Sequence, residues 1–365
     1  MGRPIHVLCV FSRLDRGGAE SMCMNLYRNI DRSKIQFDFV KHTHSIGSFE
    51  EEIKALGGQI YEAPQYRVYN HFQYCAWWKK HLAAHPEHQI IHGHYFTISP
   101  IYFKIARQFQ RITVGHSHST APQTIHWYTR IKLEILKSIE HYADYCLACS
   151  QDAGKWLFPH KEFTILNNAI DPEKFQYSPS ERAEARKDLG LNDCLTVGIV
   201  GSLIEVKNPF ETIAIFKAVH NKMPSAKLLW VGGGRLEQDI RNKLQEEHLT
   251  NAVIMTGVRP DVNRLLQAMD VFIFPSFAEG LGMAAIEAQA AGLPCFCSEA
   301  VPTEAAITSL CSFLPLNHPE LWAEKIIETD LSIRRNTSEQ VKAAGYDIHT
   351  TAKWLEDFYL SISKS

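Results

Sequence analysis

Residues 271–294 read VFIFPSFAEGLGMAAIEAQAAGLP. An apolar run gives way to a loop holding Gly280 and Gly282, and then to the helical pattern GMAAIEAQAAG. An apolar run, a glycine turn and a helix predict part of a βαβ unit in a parallel sheet. Two acids belong to this segment. Glu279 stands at the strand's carboxyl end, and Glu287 about a turn and a half into the helix. The amides from Gly280 through Leu281 and Gly282 to Met283 lie free at the helix start, where N–H groups and the helix dipole attract phosphate or hydroxyl oxygens. The glycines let a ligand approach the backbone. Glu287 can accept two hydrogen bonds from a diol, as acids do for ribose. Glu279 would hold sugar hydroxyls, so the set reads as a site for a nucleotide-sugar. Gly280, Gly282 and Ala285 also spell the weak dinucleotide fingerprint G-x-G-x-x-A, with Glu299 near the expected acid. Against that, PSFAE separates the strand from the first glycine. A plain turn with two solvated acids is the third reading.

Working outward, the same alternation recurs. HVLCVF (6–11), QFDFVK (36–41), QIIHGH (89–94), RITVGH (111–116) and DYCLAC (144–149) are each a short apolar run among helical patterns. NNAIDPEKFQYSPSER (167–182) interrupts them with Pro172 and Pro179 and reads as a linker or domain boundary. CLTVGIVGS, AKLLWVGGG, AVIMTG, VFIFPS and PCFCS then restart the series. The expectation is an α/β protein of two doubly wound Rossmann-like domains facing a cleft, with ligands beyond the carboxyl ends of the strands. The boundaries are 1–168 and 180–345. A helix within 346–365, apolar at Trp354, Leu355, Phe358 and Ile362, must dock on something, and crosses back to the first domain. A length of 365 residues suits two domains.

The net charge of −2 points to no nucleic acid. It hides an asymmetry: residues 1–165 carry 19 basic and 14 acidic side chains and 14 of the 18 histidines. A mildly basic first half fits an anionic acceptor or membrane surface. CAWWKKHL (75–82) would suit a helix resting on an anionic bilayer, or a half-buried helix with solvated lysines. Nine cysteines, mostly in apolar runs and without regular spacing, read as free thiols in a reducing compartment. The N-terminal apolar run is too short for a signal peptide, so a cytoplasmic protein is expected. His92 and His94 have metal-like spacing, yet no third ligand is visible and no metal site is expected.

Further blocks carry a resemblance: GGAE (17–20), CSQDAGKWLF (149–158), NNAIDPEKF (167–175), GSLIEVKNP (201–209), LLWVGGG (228–234), GVRPDVNRLL (257–266) and EGLGMAAIEAQAAGLPCFCS (279–298). Together they resemble the retaining glycosyltransferases of family 4, of GT-B fold, most closely those of capsular and exopolysaccharide synthesis. The E-x7-E spacing of Glu279 and Glu287 is the specific block. The resemblance implies a UDP-sugar donor and a glycan or polyprenyl-linked acceptor; because no D-x-D-like acid pair sits in a suitable loop, no metal is expected, nor any other cofactor. Glu287 would hold the donor ribose. Glu279 would face the transferred sugar with the amides of Gly280, Leu281 and Gly282. Lys207 would neutralise the diphosphate. Gly17 and Gly18 would approach phosphates or acceptor, and Val258 and Arg259 would lie near the base. His116 resembles the family's histidine beside the reacting sugar, with His118 close by.

One position departs from the family. Ser202 stands where an Arg is usual, and Arg13, Arg16 or Arg235 is the candidate substitute. Gly232–Gly234 reads as a strand-to-helix turn with a possible donor contact. The resemblance also implies attack on the face that the leaving group vacates, the phosphate oxygen taking the proton. A similar-fold nucleotide-sugar epimerase, an NAD-dependent dehydrogenase using the 280–285 turn, and a catalytically weak binding protein are the competing functions.

Overall fold

The structure, a computed structural model, describes residues 3–15, 17–94, 96–118, 136, 138–191 and 193–363. It divides into two compact units, Met1–Ile170 with Asp347–Ser365, and Asp171–Tyr346.

In the first unit the strands are β1 (Ile5–Val10), β2 (Ile35–Lys41), β3 (Ile60–Glu62), β4 (His88–Gly93), β5 (Ile112–Ser117), β6 (Tyr145–Ala148) and β7 (Thr164–Ile165). They pair in the order β3-β2-β1-β4-β5-β6-β7, every ladder parallel. Helices cover both faces, which is why the strands are apolar without alternation. Along β1, Val7 and Cys9 join one core while Leu8 and Val10 join the other, the two-residue period of a strand. All of β2 is buried, so Lys41 needs its ion pair with Glu50 at 2.7 Å.

The second unit holds β8 (Thr196–Val200), β9 (Lys227–Val231), β10 (Val253–Gly257), β11 (Val271–Phe274), β12 (Cys295–Ser298) and β13 (Cys311–Leu314). Their order is β10-β9-β8-β11-β12-β13, again all parallel. Each sheet is doubly wound and changes direction once, between β1 and β4 and between β8 and β11.

The C-terminal helix Ile348–Ile362 belongs to the first unit's core, through Ile348, Ala352, Leu355, Tyr359 and Ile362. The buried stripe is turned from the expected one. Trp354 is 39% exposed and stacks on Phe358, whereas Tyr359, polar by its hydroxyl, is fully buried and pairs with His92 Nδ1 at 2.5 Å. The Ile348 amide donates to the Ile170 carbonyl at 2.8 Å, and Asp347 caps the helix through the Thr350 amide.

Three local expectations are refined. The stretch 167–182 does hold the division between the units, after Ile170, but it also contains helices Pro172–Phe175 and Pro179–Asp188, capped by Asp171 and Ser178. Proline at the first helical position after a capping side chain is a start signal, not only a breaker. Of the two readings of 75–82, the half-buried helix with solvated lysines matches: Trp78 is buried against Tyr102, half-buried Trp77 stacks on His81, and Lys79 and Lys80 are exposed. His92 and His94 do acquire a third neighbouring imidazole, His116 of the adjacent strand. The nine cysteines are free thiols, six of them buried, and no described helix is long and apolar enough to cross a membrane.

Candidate functional site

Loops that leave neighbouring parallel strands toward opposite faces open a crevice at the carboxyl edge. In the second unit that point lies between β8 and β11. After β8 the chain forms the short turn Glu205–Lys207, closed by Asn208 at φ 51°. After β11 it runs through Phe277, whose amide donates to the Val206 carbonyl at 2.8 Å. This bond fixes the two loops to each other. Lys207 Nζ meets Glu279 Oε1 at 2.5 Å, with side chains 24% and 9% exposed. The ammonium also lies 5.2 Å from the Phe274 ring centroid. The two loops, 72 residues apart in sequence, therefore deliver one cation and one anion to the switch point.

The helix Met283–Ala290 begins beside them. Its N-cap, Gly282, has φ 88°, and no side chain caps the end. That left-handed conformation favours glycine, and a Cβ there would also press on Phe274 and Val301. The Ala285 and Ile286 amides bond to the Gly282 carbonyl, closing the first turn. Leu281 is buried, while Gly280 and Met283 are half-buried. Glu287 lies half-buried on the same helix. Burial pushes its carboxyl up to about 7, with only partial relief from the Lys174 ammonium.

The remaining loops form the other side of this edge. Gly232 (φ 141°) bonds through its amide to the Gly257 carbonyl, and a Cβ on it would overlap the Gly201 carbonyl oxygen. A Cβ on Gly234 would press on Leu203 backbone. The glycines thus let the 232–234 turn lie against residues 201–203, a packing demand that fits the strand-to-helix turn. Val258 is exposed and touches the same turn at Gly233. Arg259 forks onto Asp261 at 2.8 and 2.7 Å. Ser202 is exposed. Of its candidate substitutes, Arg235 is held by Glu205, with Nε at 2.9 Å. Arg13 lies on the first unit, where its charge acts on Glu20, and Arg16 lies outside the described residues.

In the first unit the corresponding edge carries Gly17 and Gly18 after β1. Gly17 caps the helix Gly18–Asn29, and the Glu20 carboxylate folds back over it. Burial raises the Glu20 pKa. Gly18 faces open space. His116 at the end of β5 is fully buried, with Nδ1 3.2 Å from His92 Nε2 and its ring stacked 4.0 Å from His118. His94 Nδ1 meets His118 Nε2 at 2.8 Å. Burial holds all four imidazoles far below the ordinary value, His92 and His118 at about 3, so the stack is neutral. Of the expected pair, His118 retains accessible surface and His116 does not. Sequence reasoning missed the stack because β4 and β5 are paired only by the fold. The alternating histidines of QIIHGH and VGHSH, one on each strand, were its available signal.

Comparison with known proteins follows the same outline. Residues 181–340 match the family Glycosyl transferases group 1, and residues 16–174 match Glycosyltransferase Family 4. The chain is 30% identical, over 97% of its length and 96% of the relative's, to the putative glycosyltransferase EpsF of Bacillus subtilis (strain 168). It is 33% identical to an Escherichia coli UDP-Gal:alpha-D-GlcNAc-diphosphoundecaprenol alpha-1,3-galactosyltransferase, over 38% of this chain and 36% of that one. Among solved structures, Anabaena HepE in complex with UDP and glucose superposes with TM-score 0.79 at 20% identity, covering 97% of this chain and 99% of that one. The two doubly wound parallel sheets are those of the GT-B fold.

Proposed function

The chain belongs to the family 4, group 1 glycosyltransferases, and from that premise we propose a retaining transfer of a hexose or N-acetylhexosamine from a UDP-sugar to a glycan or polyprenyl-linked acceptor in cell-surface polysaccharide synthesis. The observation that carries the reading is the Lys207–Glu279 pair at the β8/β11 switch point, beside the uncapped start of the helix Met283–Ala290. A UDP-galactose donor in one relative's name and UDP with glucose in the HepE complex support the donor class.

The chemistry is rupture of the C1–O bond to a leaving diphosphate, on which negative charge builds. Fixed donors aimed at that charge lower the barrier. Lys207 and the free amides at the helix start supply them without a metal. An arriving diphosphate competes with Glu279 for the ammonium. That exchange releases the carboxylate to accept hydrogen bonds from the transferred sugar. Glu287, once ionised, accepts from the two ribose hydroxyls, while the turn at Val258 and Arg259 flanks the base. The acceptor hydroxyl attacks the face that the diphosphate leaves, and its proton passes to the departing phosphate oxygen. The first unit takes the acceptor, through Gly17 and Gly18 and the neutral His116 and His118. His118 makes the direct contact and His116 stands behind it. Ser202 leaves the phosphates one guanidinium short, since Arg235 is engaged by Glu205.

The protein works in the cytoplasm at the inner face of the membrane. Exposed Val68, Tyr69 and Phe72 beside Arg67, Lys79 and Lys80 support contact with an anionic bilayer. A panel of UDP-sugars, scored for nucleotide release in excess chelator with wild type, Lys207→Ala and Glu287→Ala, tests the reading. Release by wild type alone is expected. Silence with every donor would sink the transfer, and full loss with chelator while circular dichroism shows the fold intact would sink the metal-free mechanism.

A further inference from the structure

A second cluster of ligating side chains lies at the opposite, amino edge of the first unit's sheet, where β1 and β4 begin. The helix His71–Ala84 ends there, and the turn His85–Pro86–Glu87 leads into β4 at His88. His88 is completely buried, and its Nε2 lies 3.1 Å from Asp38 Oδ2. Asp38 also accepts from His6 Nδ1 at 2.6 Å and from the Gln59 amide at 2.8 Å. The Asp38 carboxylate is thus the shared acceptor of three donors, which places the His88 proton on Nε2.

The other ring nitrogen, His88 Nδ1, is buried and has no hydrogen-bond partner among the described residues. A proton there would be a buried donor without an acceptor, so the bare lone pair is the form this environment accommodates. One ligand atom from each of His85, Glu87 and His88 lies within 4.8 Å of the others. His85 Nδ1 and Glu87 Oε1 meet at 2.8 Å. His81 adds a further ring, its centroid 5.2 Å from His88 and 4.6 Å from His85, with Nε2 also buried and unpartnered.

A carboxylate holding one imidazole nitrogen while the other points bare at further ligands is how proteins orient a metal-binding histidine. We propose that His85, Glu87 and His88 bind a zinc ion, with Asp38 fixing His88 in its ligating tautomer. Two imidazoles and one carboxylate are a zinc donor set, completed by water or by His81. Tetrahedral ligands stand about 3.3 Å apart at zinc–nitrogen lengths, so the turn must tighten. His85 and Glu87 keep accessible surface and can move, while buried His88 is the fixed point. The ion ties the end of the helix His71–Ala84 to the start of β4. It sits at the edge away from the loops that follow β1, β4 and β5, so its effect is on stability and not on turnover.

The test uses the untagged full chain, stripped by chelator and titrated with Co2+ and then Zn2+. One Co2+ per chain should give visible ligand-field absorption that Zn2+ abolishes. A hundredfold excess of Zn2+ over its Kd should raise Tm by about 5–10 °C. The His85→Ala/Glu87→Ala variant changes an accessible turn and should fold as wild type, with affinity lower by at least about 100-fold. Asp38→Asn should weaken binding by about 10- to 100-fold. Failure to saturate at one Co2+ per chain overturns the proposal. So does absorption that survives the double variant, which would assign the metal to the His92–His94–His116 stack.

Discussion

Glu287 offers a prediction with a definite sign. Its carboxyl is pushed from the ordinary 4.5 to about 7 by burial, yet a ribose diol requires the ionised form, which alone accepts two hydrogen bonds. The ionised fraction is about 9% at pH 6 and about 91% at pH 8 for a pKa of 7. The Kd of a UDP-hexose should therefore fall about tenfold between those values, about 1.4 kcal/mol. A sugar diphosphate is the correct probe, because its phosphates are both esterified and do not titrate in this window. The assay is calorimetric titration at pH 6, 7 and 8 with wild type and Glu287→Gln. The variant should bind weakly with no pH slope. The same shift sets a stability effect. An acid with a raised folded pKa favours folding when protonated, so its destabilising contribution is present above pH 7 and gone below about pH 4.5. Glu287→Gln should then stabilise the protein at pH 8 by up to about 3 kcal/mol and leave it unchanged near pH 4.5. A wild-type Kd that is flat with pH, or a slope that persists in the variant, refutes the reasoning.

Other outcomes follow from single contacts. Lys207→Ala should lower kcat by about 10²- to 10³-fold, the scale of losing one fixed donor to developing charge. Adding Glu279→Gln should recover folding stability but not rate, as separate urea and turnover measurements would show. Leu355→Ala, in the C-terminal helix, should cost about 2–5 kcal/mol in urea unfolding, because Leu355 is 1% exposed in the first unit's core. A near-neutral result would mean that the helix does not dock there. Gly232→Ala should lower Tm by several degrees, since its Cβ meets the Gly201 carbonyl at positive φ. Gly18→Ala, facing open space, should leave Tm unchanged, and equal effects at the two sites would contradict this packing.

Much was legible in one dimension. Apolar runs alternating with helices require parallel strands covered on both faces, and that pattern announced two doubly wound sheets. The E-x7-E segment placed Glu279 and Glu287 on a glycine loop and its helix, as strand-to-helix connections demand. Other features depend on pairs that no local pattern contains. Lys207 meets Glu279 because β8 and β11 are neighbours at the switch point, and the Phe277–Val206 bond draws their loops together. The histidines of β4 and β5 stack because those strands pair in register, and His88 finds Asp38 across three strands. The C-terminal helix buries Tyr359 in place of Trp354 because His92 supplies a partner for the hydroxyl. Periodicity fixes which residues share a face of one element, whereas the ion pairs, burial and shifted pKa values come from which elements the sheets bring side by side.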